Sequence, residues 1–148
     1  QESVWILNLI CYYLAKGSPV LFIIEEPESH LFPESQKYMT ELIALTSNTK
    51  HAVLLTTHSP YVLGTLNNLL YAAQTATPQR AKAAAVISPL LWLSPETFDA
   101  WFVQETSVQN CMDREMNLIQ NERIDEISQV INREFDALFA LQIENTQI

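Results

Sequence analysis

Glycine is nearly missing from these 148 residues: only Gly17 and Gly64 occur. A phosphate-cradling loop of the Gly-x-x-x-x-Gly-Lys-Ser/Thr kind needs two glycines with fixed spacing, so the sequence does not contain one. Lys16-Gly17-Ser18 is no degenerate version of it; it reads as a helix end with its C-cap glycine. Cysteine is as sparse. Cys11 and Cys111 make no disulfide framework and no Cys-x-x-Cys, and reduced thiols in a cytosolic protein are the simplest reading. Basic residues are few, 8 against 17 acids, giving a net charge of −9 and a pI near 4.6. A surface of that sign repels phosphate backbones, which argues against a main nucleic-acid contact here. No apolar run is long enough to span a bilayer, and no basic region precedes the first apolar stretch as in a signal peptide. There is no internal repeat, low-complexity tract or sustained heptad run.

What is present is a chain 48% apolar, enough for one core. Its organising stretch is Val20-Leu21-Phe22-Ile23-Ile24-Glu25-Glu26-Pro27. A continuous apolar run opened by Pro19 and closed by Pro27 predicts a fully buried parallel strand. Ligands of open α/β sheets bind at the carboxyl ends of strands, where Glu25 and Glu26 fall. Neighbouring side chains on a strand point to opposite faces, so the two acids are expected to do different work. Nucleotide hydrolysis needs such a pair: one acid for the water shell of Mg²⁺, the other to orient the attacking water. The plainer reading is two solvated acids at the end of a core strand.

Residues 51–60 repeat the arrangement. A short β-type run ends at His58, followed by an N-cap serine, Ser59, and a proline at the first helical position, Pro60. His58 is therefore expected at the tip of a strand-to-helix turn, where a neutral imidazole can hydrogen-bond a γ-phosphate or the attacking water. A lone histidine is more often structural; this one shares its setting with two glutamates.

"LFIIEEPESHLFPESQ" followed by "VLLTTHSPYVL" resembles the Walker B, D-loop and switch-histidine region of ABC-type ATPases, in the OLD, RecF and SMC-like group often labelled AAA-type ATP-binding proteins. The resemblance covers residues 1 to about 70. It implies an α/β fold, a partial P-loop NTPase layer with a parallel sheet flanked by helices. It implies ATP and Mg²⁺ as ligands, with Glu25 as the Walker B acid holding Mg²⁺ through water. Glu26 is implied as the catalytic carboxylate and His58 as the switch histidine. Residues 29–33, from Ser29, resemble the D-loop that crosses to the partner site. Gln1 and Glu2 resemble the end of the signature loop, near the γ-phosphate of the opposing subunit. On this reading the 148 residues form a single domain, the C-terminal portion of an ATPase domain. Residues 1–74 carry the α/β part and residues 83–148 a small C-terminal α+β extension. The full-length protein would be a cytoplasmic homodimer closed around two nucleotides, touching DNA only indirectly and no membrane. It would be linked to DNA repair, recombination or phage defence. On its own the chain is expected to be inactive for lack of the phosphate loop.

The remaining pattern supplies elements. Residues 3–16 are apolar almost all round and predict a buried helix. From Glu34 to Ser47, Tyr38, Met39, Leu42, Ile43 and Leu45 predict an inward stripe opposite Glu34, Lys37 and Glu41. From Pro60 to about Ala73, Val62, Leu63, Leu66, Leu69 and Leu70 predict a helix packed on a core. Alternating helices and strands of this kind indicate a parallel sheet. Residues 75–82, with Pro78, read as a loop and residues 83–93 as strand-like. Residues 94–96 read as a turn or helix start. Residues 100–105 predict a short strand of the sort that adds to the main sheet, and residues 123–141 an amphipathic helix. Two other functions remain: a metal-dependent hydrolase or nuclease built on Glu25, Glu26, Glu28, His30 and His58, and a non-catalytic interaction module.

Overall fold

The structure, a computed structural model, describes residues 2–75 and 77–120, with side chains from residue 5 onward. Gln1 and the helix expected over 123–141 lie outside the described residues. Helix α1 (Glu2–Lys16) ends at Gly17, whose N–H still reaches the Tyr13 carbonyl at 3.2 Å and whose φ of 75° turns the chain out of the helix. That left-handed cap is cheap only for glycine. The helix is not buried all round. Ile6, Ile10, Tyr13 and Leu14 pack inward, while Trp5, Leu9 and Tyr12 are exposed.

Strand β1 (Leu21–Glu25) and strand β2 (Ala52–Thr56) pair directly and in parallel, from Leu21 opposite Ala52 to Glu25 opposite Thr56. Helix α2 (Pro33–Ser47) connects them. The expectation of a strand buried on both faces is corrected. Phe22 and Ile24 are buried, but Leu21, Ile23 and Leu54 are 60%, 64% and 55% exposed. The helices cover one face of this two-stranded sheet among the described residues, so the residues of the other register stay in solvent. The α2 stripe is corrected too. Met39 and Ile43 are buried as expected, but Tyr38 and Leu45 are exposed, and Thr40, Ala44 and Thr46 take inward positions. The two buried hydroxyls are satisfied within the helix, Thr40 donating to Gln36 O and Thr46 to Leu42 O, both at 2.8 Å. A hydroxyl satisfied in this way can occupy a core position without orphaning a polar group.

Helix α3 (Pro60–Ala73) buries all five expected apolar residues. They form one core with Ala44, Leu93, Met112 and Ile119. A second core holds Ile10, Phe22, Ile24, Met39 and Ile43. Leu55 packs against both, and α2 contributes to both. Each buried Val, Leu, Ile, Phe or Met among them contributes about 1.5–3 kcal/mol.

Beyond α3 the sequence reading is largely overturned. Helix α4 (Thr77–Val86) replaces the expected loop and the start of the expected strand. Pro78 falls in its first turn, where the missing N–H costs nothing, and an alanine-rich stretch follows. A 3₁₀ turn (Pro89–Leu91) continues the path. Asn48 donates to the carbonyls of Leu90 and Trp92, both at 2.9 Å, fixing that turn against the end of α2. Residues 94–97 do form a turn, with Thr97 N donating to Ser94 O at 3.1 Å. Strand β3 (Trp101–Gln104) exists, but it pairs antiparallel with β4 (Ser107–Asn110) and not with the main sheet. Strands β5 (Met112–Asp113) and β6 (Leu118–Ile119) form a third small sheet. The Asn110 amide, together with the Ala100 N–H and the Arg114 guanidinium, holds the exposed Asp99 carboxyl below its usual range. Among the described residues no helix is long and apolar enough to cross a membrane.

Candidate functional site

Parallel pairing in register puts the carboxyl ends of β1 and β2 on one rim. The chain leaves β1 through Glu26, whose N–H still bonds the Thr56 carbonyl at 2.9 Å. Glu26 then adopts φ 42°, a left-handed conformation uncommon for a residue with a Cβ. A tight turn follows, with Ser29 N donating to Glu26 O at 2.9 Å. Across the rim, β2 ends and Ser59 caps α3, its hydroxyl accepting from the N–H groups of Tyr61 and Val62 at 3.2 and 3.4 Å. The Ser-Pro start expected for this helix is therefore present, and His58 sits just before it.

The two turns meet at their side chains. Glu26 Oε1 lies 3.3 Å from His58 Nδ1. Ser29 Oγ donates to Glu26 Oε2 at 3.4 Å, so its hydroxyl turns in toward the carboxylate. Both Glu26 and His58 are open to solvent, with side chains 53% and 74% exposed. Glu25 points elsewhere. It shares the exposed strand face with Leu21 and Ile23, while Glu26 has left the ladder. Glu2 begins α1, and its side chain is not among those described. His30 is exposed, at φ 64°. Among the described residues no group of three or more His, Cys, Asp or Glu is arranged to hold a metal ion. The direct metal cluster considered from the sequence is thus not assembled there.

Glu28 has a place that the sequence did not suggest. It is 4% exposed, and its Oε1 accepts from Thr57 Oγ1 and, at 3.1 Å, from His58 N. Gln36, in the first turns of α2, makes a second bridge. It donates to Leu31 O at 2.9 Å and accepts from Ser59 Oγ at 2.6 Å. Nothing in the sequence pattern marked Gln36, because a polar residue near a helix start is ordinary. A carboxylate beside an imidazole at an open strand rim can hold, orient and exchange a proton. A cleft of about 1000 Å³ lies elsewhere, lined by Gln74, Arg80, Trp92, Phe98 and Arg114 among others. Both arginines there are engaged, Arg80 over the Trp92 ring at 4.8 Å and Arg114 on Asp99 at 3.0 Å.

Residues 3–63 match the family model described as AAA ATPase domain. The matched stretch contains Glu25, Glu26, Glu28 and His58, and it supports an AAA-type ATPase family, one that uses nucleotide and usually Mg²⁺. Searches of curated proteins and of solved structures found no match.

Proposed function

We propose that these residues form the carboxylate and histidine side of an ATP-hydrolysing site of the ABC-type, OLD/RecF/SMC-like kind, and that the phosphate-cradling loop comes from residues outside these 148. The observation that carries this is the 3.3 Å approach of Glu26 to His58 at the shared rim of two parallel strands. The family match over residues 3–63 supports it.

Glu25 fits a Mg²⁺ held through water. It is a hard oxygen donor, exposed at the strand end, and Mg²⁺ keeps several waters while using one or two carboxylates. Bound with the nucleotide, the ion neutralises charge on the phosphates. Glu26 orients the attacking water and accepts its proton as the water oxygen bonds to the γ-phosphorus and the bond to ADP breaks. His58, held beside Glu26, hydrogen-bonds the γ-phosphate. Ser29 steadies Glu26 in one chain while its loop, with Gln1 and Glu2, faces the opposing subunit's nucleotide in a head-to-tail dimer. By resemblance alone, closure of that dimer drives DNA repair, recombination or phage defence.

The test is Glu26→Gln in the whole protein carrying this chain. Nucleotide binding should persist while turnover falls by roughly 10²–10⁴-fold, the usual weight of a positioned general base. Turnover equal to wild type would remove Glu26 from this role.

A further inference from the structure

Glu28 is an acid in a place where acids are rarely found. A carboxylate 4% exposed is costly unless hydrogen bonds compensate it. Its Oε1 takes both partners from one short stretch, the Thr57 hydroxyl and the His58 N–H at 3.1 Å. The same oxygen lies 3.8 Å from His58 Nδ1. The Thr57 hydroxyl that donates to Glu28 also accepts from Ser59 N at 3.0 Å. One carboxylate oxygen therefore fixes Thr57 directly, His58 through its backbone, and Ser59 through Thr57. Its other oxygen, Oε2, is buried with no hydrogen-bond partner among the described residues.

His58 needs such a hold. Its side chain is 74% exposed, and the side chains near its Nδ1 are Glu26 and Glu28. Glu26 is itself exposed and steadied by a 3.4 Å contact with Ser29. Of the two acids, Glu28 is the one gripped by its surroundings.

We propose that Glu28 is a positioning residue for the ATPase site: its buried carboxylate clamps the Thr57–His58 backbone so that the imidazole stands beside Glu26. This rests on the ATPase reading given above. Buried as it is, Glu28 acts through His58.

Two experiments test it. In the full 148-residue chain, amide hydrogen exchange reads the clamp directly. Glu28→Ala should speed exchange at the His58 N–H by about tenfold or more, the scale of a lost hydrogen bond near 1.4 kcal/mol. Glu28→Gln, which keeps an acceptor oxygen, should restore most of the protection. Unchanged exchange in the alanine variant would overturn the clamp.

In the whole protein, Glu28→Ala should lower kcat about ten- to hundredfold, as small misplacements do, with the KM for ATP within about twofold. Glu28→Gln should recover most of that loss. In a His58→Ala background Glu28→Ala should cost almost nothing more, because the two act as one unit. Additive losses would show that Glu28 supports the fold and not His58, and would overturn the proposal even with the ATPase reading intact. If Glu26→Gln and His58→Ala both left turnover unchanged, the assignment of this rim as the ATPase site would fall and this role with it.

Discussion

At the scale of single residues the site is held in conformations that a free chain avoids. Glu26 at φ 42° sits where a side chain with a Cβ costs about 1–3 kcal/mol. The strain occurs at the residue proposed to act on water. Comparing Glu26→Gly with Glu26→Ala isolates the backbone term, since both remove the carboxylate. The glycine variant should be more stable than the alanine variant by about 1 kcal/mol in denaturant unfolding, with neither supporting turnover. Equal stabilities would mean the turn relaxes freely. This strain was not legible in the sequence. Glu25 and Glu26 could be placed at a strand end from the apolar run, but which one leaves the ladder depends on where pairing with Thr56 stops. The Glu26–His58 approach could be anticipated, because both follow apolar runs of similar length. The Glu28 clamp could not, since burial of a loop carboxylate depends on contacts with Thr57 and His58 that are 29 and 30 residues away in sequence.

At the scale of elements, sequence periodicity served where one face meets one core. Helix α3 shows its five apolar residues at helical spacing and buries all of them. Helix α4 is hidden in the sequence because Pro78 reads as a breaker, although it stands in a first turn. Strand β4 carries a single strongly apolar residue, Val108, and gives almost no alternation to read. The small strands are fixed by side-chain bonds that periodicity does not carry. Asn67 on α3 donates to Ile119 O at 2.9 Å and accepts from Ile119 N at 2.7 Å, holding β6 as a neighbouring strand would. Asn67→Leu should therefore destabilise the chain by about 1–3 kcal/mol, because both buried backbone groups lose their partner. Thermal unfolding measures this, and a variant as stable as wild type would show that water replaces the amide.

At the scale of the whole molecule, the main sheet has an apolar face, made by Leu21, Ile23 and Leu54, that nothing covers among the described residues. Contiguous exposed apolar area promotes association. Ile23→Thr with Leu54→Thr keeps strand-favouring or tolerated residues on that face. It should reduce concentration-dependent self-association, read by light scattering, with little change in thermal midpoint. A sharp fall in the midpoint would show that these side chains stabilise the fold. The continuous apolar run indicates a parallel strand and reads as buried on both sides. Which side is covered depends on neighbours, and an apolar residue reads the same in either setting.

The ladder between β1 and β2 also acts as a ruler. Leu21 to Glu25 are matched rung for rung with Ala52 to Thr56, so acid and imidazole meet only while that count is kept. A single residue inserted before Thr56 would invert which of its neighbours face the core and carry His58 past Glu26. The oily interior, through the alternation of Phe22, Ile24, Val53 and Leu55, thus sets the distance between carboxylate and imidazole.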